Sequence, residues 1–183
     1  MKSSRRKGRQ TAASRETGRF RIIAGQWRGR RLSFPAIEGV RPTADRVRET
    51  LFNWLQPVIQ GARCLDLFAG SGALGLEALS RGAASVTFVD RQPVVVRAIA
   101  AHLEVLGCSD GVAVCARTEM FLRSAAGFFD IIFLDPPFTQ DVLPGLCQMI
   151  DDEHCLRPGG RVYLEQPASA APPALPPGWQ LLR

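Results

Sequence analysis

From residue 63 onward, short apolar runs alternate with longer stretches whose apolar residues recur every three or four positions. The runs at 63–68 (RCLDLF), 85–90 (SVTFVD), 112–115, 129–134 (FDIIFL) and 160–165 (GRVYLE) read as strands. The stretches at 73–81, 93–106, 118–126 and 140–151 read as helices. Strands that are apolar at nearly every residue suit a parallel sheet covered on both faces. Regular alternation of the two predicts an α/β fold with a doubly wound, mostly parallel sheet. Ahead of it, RFRIIAGQWRGRRLSF (19–34) reads as a hairpin turning near Gln26–Gly29. A helix then opens at Pro42-Thr43 with Thr43 as its N-cap. Its stripe is Val47, Leu51, Phe52, Trp54 and Leu55, ending at Pro57, with Phe52 and Trp54 expected in the core. A last strand is expected to start at Trp179, after a Pro/Ala-rich stretch. The chain thus divides into a basic tail (1–18), a hairpin-and-helix extension (19–60) and the main domain (61–183).

Charge changes this picture at one end. Residues 1–31 hold eleven Lys/Arg and one acid, Glu16, whereas residues 32–183 hold twelve Lys/Arg and sixteen acids. A cationic leading segment on a mildly acidic body binds polyanions by neutralising phosphates. In the hairpin, arginines alternate with apolar residues, so its basic groups would sit on an ordered surface. Residues 1–18 lack apolar anchors and read as a flexible tail. No apolar run approaches a membrane span, and the basic N-terminus has no apolar core of a secretory signal. The five cysteines are scattered and the two histidines, His102 and His154, stand apart, so no metal site is expected. The thiols read as reduced and mostly core, which fits a cytoplasmic protein.

Two segments carry chemistry. The first, Asp66-Leu67-Phe68-Ala69-Gly70-Ser71-Gly72-Ala73-Leu74-Gly75, joins a strand to a helix. Gly70, Gly72 and Gly75 match G-x-G-x-x-G, which on its own serves a dinucleotide equally well. An acid at Asp66 would repel a pyrophosphate, whereas S-adenosylmethionine carries a sulfonium and an ammonium and no phosphate. Asp90 ends the next strand, about twenty residues on, where a carboxylate can accept hydrogen bonds from ribose hydroxyls.

The second segment is Asp135-Pro136-Pro137-Phe138, directly after FDIIFL. Two prolines cannot continue a central strand and stiffen the turn that leaves it. They fix two acceptors, the Asp135 carboxylate and the Pro136 carbonyl. A base amino group has two N–H donors and a lone pair delocalised into the ring. Accepting both hydrogens favours an electron-rich nitrogen that can attack a sulfonium methyl, and Asp135 could take the released proton. Phe138 offers a face on which the target base can stack.

These residues resemble the class I methyltransferases that modify exocyclic amines, whose motif [DNS]-P-P-[YFW] is similar to 135–138. More specifically, RIIAGQWRGRRL (21–32), RPTADRVRETLFNWL (41–55), CLDLFAGSGALGLEALSRGA (64–83) and DPPF (135–138) resemble the RsmD family of bacterial 16S rRNA (guanine-N2)-methyltransferases. The resemblance runs from about residue 20 to 166. It implies a seven-stranded class I fold, S-adenosylmethionine as methyl donor, and N2-methylguanine as product. It further implies a target in assembled or partly assembled small ribosomal subunits, with the chain taken as a monomer. Cofactor contacts are then expected from Asp66, Phe68, Gly70, Ser71, Gly72, Gly75, Asp90, Thr118 and Thr43. RNA contacts are expected from Arg21, Arg28, Arg30, Arg31, Arg41, Arg46 and Arg48. The chain departs from relatives in two places. Arg117 stands where they carry Asp or Asn, and the sequence stops at Arg183, so the final strand is expected to be missing. Competing readings are an adenine-N6 methyltransferase on RNA or DNA, a catalytically inactive RNA-binding relative, and an NAD-dependent oxidoreductase.

Overall fold

The computed structural model of the protein describes residues 17–35, 43–124, 129–137 and 142–182. Strands β1 (Thr17–Arg21) and β2 (Arg31–Pro35) form an antiparallel hairpin, with Phe20 opposite Leu32. Helix α1 (Asp45–Ile59) follows. The alternating part then runs β3 (Arg63–Asp66), α2 (Ala73–Ser80), β4 (Ser85–Asp90), α3 (Pro93–Leu106), β5 (Gly111–Cys115), α4 (Thr118–Ser124), β6 (Phe129–Leu134), α5 (Leu143–Asp152) and β7 (Leu156–Leu164). Positions 125–126 and 140–141 of the expected helices lie outside the described residues.

The five main strands are all parallel and lie in the order β5-β4-β3-β6-β7. The chain winds outward from β3 to β5, then crosses back to β6 on the other side of β3. The loops leaving β3 and β6 therefore part in opposite directions and open a crevice at the carboxyl ends of the strands. Two apolar clusters cover the sheet. One holds Phe20, Ile22, Leu32, Phe34, Leu51, Phe52, Phe88 and Phe133. The other holds Leu65, Leu67, Val89, Leu122, Ile132, Leu134 and Leu146. The hairpin and α1 thus share a core with the sheet.

Three expectations change. Trp54 and Val47 are 45% and 40% exposed, whereas Leu51, Phe52 and Leu55 are buried as expected, on a face they share with Arg48 and Ile59. Both series have helical spacing; the buried one contains a cation, which hides it from a count of apolar residues. The helix also runs two residues past Pro57, which removes one hydrogen bond only from its last turn. Finally, the described residues form five strands in the main sheet, and no strand starts at Trp179. Pro167, Pro172, Pro173, Pro176 and Pro177 lack N–H donors for a ladder. Trp179 packs instead on the second cluster and donates its Nε1–H to Asp151 Oδ1 at 3.0 Å.

The hairpin turn is fastened to α2. The N–H groups of Gln26 and Trp27 donate to the Ser80 carbonyl (2.8 Å) and hydroxyl (3.1 Å), and that hydroxyl donates to Ala24 O at 2.6 Å. Gly25 sits at φ +83°, and a Cβ there would lie 1.8 Å from Ser80 O, so only glycine lets the backbones meet. Below the turn, Glu77 is fully buried and accepts the N–H groups of Ile23 (2.8 Å) and Ala24 (3.1 Å). Arg81 Nε at 2.7 Å and Arg48 Nη1 at 3.5 Å complete its shell.

Candidate active site

Four adjacent strands each deliver an acid to the crevice. Asp90 ends β4 and Asp66 ends β3, while Asp135 directly follows β6 and Glu165 directly follows β7. In spatial order they run Asp90, Asp66, Asp135, Glu165 along the carboxyl edge of the sheet. Parallel register makes this alignment, because every strand points the same way and ends at the same edge.

Asp66 is 1% exposed and accepts the Gly75 N–H at Oδ2, 3.2 Å away. Its burial, then the Asp135 carboxylate and more weakly that of Asp90, push its pKa up to about 7. Asp90 is half-buried and binds the glycine loop from below, accepting Gly70 N–H at Oδ2 (3.1 Å) and Gln92 N–H at Oδ1 (2.8 Å). Gly70 and Gly72 take φ of +49° and +79°, the left-handed region where side chains are strained. Gly75 matters for packing instead, since a Cβ there would lie 2.1 Å from the Phe88 ring; its absence brings α2 against β4. Ser71 is buried and its Oγ accepts Ala73 N–H at 3.4 Å. Thr118 is buried and donates its hydroxyl to Leu67 O at 3.0 Å, tying the start of α4 to the loop. Phe68 is half-buried against the second cluster.

On the other side of the crevice, Asp135 is half-buried and accepts the Thr43 hydroxyl at Oδ2, 3.1 Å away. Burial raises its pKa first, and the neighbouring Glu165 raises it further. Pro136 is buried and Pro137 is exposed. Phe138 and Arg41 lie outside the described residues. Thr43 does not cap α1, since the cap position is Ala44 and carries no side-chain hydrogen bond. Its hydroxyl belongs to Asp135, and its carbonyl accepts Arg48 Nε at 3.1 Å.

The arginines separate. Arg28, Arg30, Arg31 and Arg46 are exposed, and Arg30 also reaches Val105 O at 3.5 Å. Arg21 is exposed and pairs with Asp45 at 3.3 Å. Arg48, expected near cofactor or RNA, is fully buried in the structure. Its guanidinium donates to Arg21 O (2.8 Å), Asp45 Oδ1 (2.6 Å), Thr43 O and Glu77, so it is a core cation with no surface to offer RNA. Arg117 lies out in solvent, 3.8 Å from Glu119. Among the described residues no group of three or more His, Cys, Asp or Glu is arranged to hold a metal ion, and no helix is long and apolar enough to cross a membrane. The Cys64 and Cys147 thiols are buried, which raises their pKa to about 12 and about 11.

Glu165 is the site residue that sequence reasoning missed. The signal was available: GRVYLE ends in an acid, as SVTFVD does at Asp90, while Asp66 lies near the end of RCLDLF and Asp135 directly follows FDIIFL.

A titration checks the Asp66 environment. Its folded pKa near 7 lies above the 3.8 of an unhindered carboxyl, so between those values the folded chain binds more protons than the unfolded one. This group's contribution to stability therefore falls as pH rises from about 4 to 7. Asp66→Asn removes the dependence and keeps an acceptor for Gly75. The melting temperature of the variant minus that of the parent is expected to be more positive at pH 8 than at pH 4.5. A difference independent of pH would contradict a buried carboxyl with a raised pKa.

The wider comparisons agree with this geometry. Residues 20–183 match the family model described as "Conserved hypothetical protein 95". The Ribosomal RNA small subunit methyltransferase D of Escherichia coli (strain K12) is 44% identical over 167 residues, covering 91% of this chain and 84% of that protein. The protein of the same name from Haemophilus influenzae is 42% identical over 175 residues, covering 91% and 88%. The solved structure of Escherichia coli yhhF superposes with a TM-score of 0.84 at 42% identity, over 91% of this chain and 90% of that one. Together with the hairpin, the glycine loop and the Asp-Pro-Pro turn, these matches establish that the chain belongs to the RsmD methyltransferase family.

Proposed function

We propose that this protein transfers a methyl group from S-adenosylmethionine to the exocyclic N2 amine of a guanine in small-subunit ribosomal RNA. The observation that carries the reading is the row of four acids at the carboxyl edge of the sheet. Such an edge attracts a cationic ligand and repels a phosphate, which favours a sulfonium donor over a dinucleotide. The residues present fit that donor. The backbone at Gly70 and Gly72 can approach a ligand closely, and Asp90 keeps lone pairs for ribose hydroxyls beyond its two backbone bonds. Asp66, Phe68, Ser71, Gly75 and Thr118 support the loop from behind. S-adenosylmethionine supplies an electrophilic methyl group on a positively charged sulfur.

The chain's own residues do the rest. Asp135 and the Pro136 carbonyl accept the two hydrogens of the target amine and aim its nitrogen. Thr43 holds Asp135 in that pose. Phe138 stacks on the base. The related proteins named Ribosomal RNA small subunit methyltransferase D support the RNA substrate, which in turn favours a cytoplasmic site of action. The decisive test is incubation of undermethylated small subunits with labelled donor, followed by mass mapping of the modified nucleoside. N2-methylguanosine is the expected product; N6-methyladenosine would overturn the choice of base, and no label at all would overturn the activity.

Arg28, Arg30 and Arg31 are exposed on a hairpin that is itself fixed to α2, so they suit phosphate contacts. Their joint replacement by alanine is expected to weaken subunit binding and flatten the slope of log affinity against log salt by about two. An unchanged slope would remove the hairpin from the interface.

A further inference from the structure

Methylating an amine releases a proton, and the structure shows where two carboxyl groups can handle it. In β6 and β7, Leu134 lies opposite Leu164, and Glu165 N–H donates to Leu134 O at 2.9 Å. Asp135, the residue after β6, and Glu165, the residue after β7, therefore leave neighbouring strand ends side by side. Glu165 raises the pKa of Asp135, so the two carboxyl groups lie close enough to compete for a proton. Two carboxyl groups held this close favour a state in which they share one proton. Their other partners differ. Tyr163 donates its hydroxyl to Glu165 Oε2 at 3.1 Å, which favours the carboxylate form of Glu165. Asp135, whose one side-chain donor among the described residues is the neutral Thr43 hydroxyl at 3.1 Å, faces the crevice shared with the buried Asp66.

We propose that Glu165 is the terminal acceptor of the amine proton, reached through Asp135. The inference rests on the methyl-transfer reading above and adds the proton's route to it. One Asp135 oxygen accepts an amine N–H while its protonated oxygen donates to Glu165. As the nitrogen lone pair forms the N–C bond, the C–S bond breaks with its electron pair left on sulfur. The N–H proton passes to Asp135, and the proton Asp135 already held passes to Glu165. Asp135 is neutral before and after the step. The positive charge lost at sulfur is matched by the negative charge lost at Glu165, so no net charge is created in the crevice. Glu165 acts through Asp135, and Tyr163 keeps it ready as a carboxylate. Among the described residues, the titratable groups facing the pair are Asp66 at the end of β3 and Tyr163 on β7, with Asp90 acting on Asp66.

The test uses the full chain, undermethylated small subunits and labelled donor across pH 5–9. Glu165→Gln keeps the shape and cannot take the proton. It is expected to lower kcat about a hundredfold with donor affinity and the KM for subunits little changed. Its acid limb in the pH profile should disappear, because that limb reports protonation of Glu165. Glu165→Asp should recover part of kcat, and Tyr163→Phe should move the acid limb to higher pH. If Glu165→Gln stays within threefold of the parent with the same acid limb, or if Tyr163→Phe leaves the limb in place, the route through Glu165 is wrong. A parent chain that labels no nucleoside would instead overturn the activity itself, so the two failures are distinct.

Discussion

Asp135→Ala is expected to lower kcat for methyl transfer by about a thousandfold while donor affinity stays within a few fold. A positioned acceptor and a proton acceptor each contribute about a hundredfold or more in enzymes of this kind, and because one carboxyl serves both roles here the losses overlap rather than multiply. Donor affinity should hold because the loop that would cradle the donor is built by Asp66, Asp90 and the glycines, whose hydrogen bonds do not involve Asp135. Asp135→Asn separates the two roles, since the amide oxygen still accepts an N–H but cannot pass on a proton. It should fall between alanine and the parent. Stopped assays at saturating donor, with affinity measured by calorimetry, decide the matter. Turnover of Asp135→Ala at a tenth of the parent rate or more would remove Asp135 from the chemistry.

Local features made much of this site legible from sequence. The glycine loop, the Asp-Pro-Pro turn and the acids at 66, 90 and 135 are each defined within a few residues of a strand end. The parallel sheet follows from apolar runs alternating with helical spacing. What the sequence hid depends on distant partners. Arg48 resembles a surface cation until Glu77, 29 positions away, and the Arg21 carbonyl fold over it. Burying it also rotates the apolar face of α1, which leaves Trp54 outside. Thr43 looks like a helix cap because its true partner, Asp135, is 92 positions away. Glu165 gains its meaning only once β6 and β7 are paired in register. The prolines after residue 166 signalled an irregular end, yet the expected strand at Trp179 required ladder partners that this stretch does not provide.

The second large effect concerns the fold around that hidden cation. Glu77→Ala is expected to destabilise the protein by about 3–5 kcal/mol, the cost of leaving a buried charge without its partner. For a chain of this length that corresponds to a melting temperature lower by roughly 10–15 °C. Removing the carboxylate strands two backbone N–H groups, Ile23 and Ala24, and leaves Arg48 fully buried with Asp45 as its remaining acid. The loss would spread along a connected path. Glu77 fastens the hairpin turn and Arg48, Arg48 holds the Thr43 carbonyl, and Thr43 holds Asp135. Even where the variant stays folded, kcat should therefore fall together with stability, whereas a purely local core defect would leave kcat unchanged at low temperature. Glu77→Gln keeps acceptors for the backbone but not the charge, so it should cost less. Thermal melts of both variants, with kcat measured well below their midpoints, test the path. A drop of less than about 4 °C for Glu77→Ala, or a drop with kcat intact, would show that the hairpin and the Asp135 turn are anchored independently.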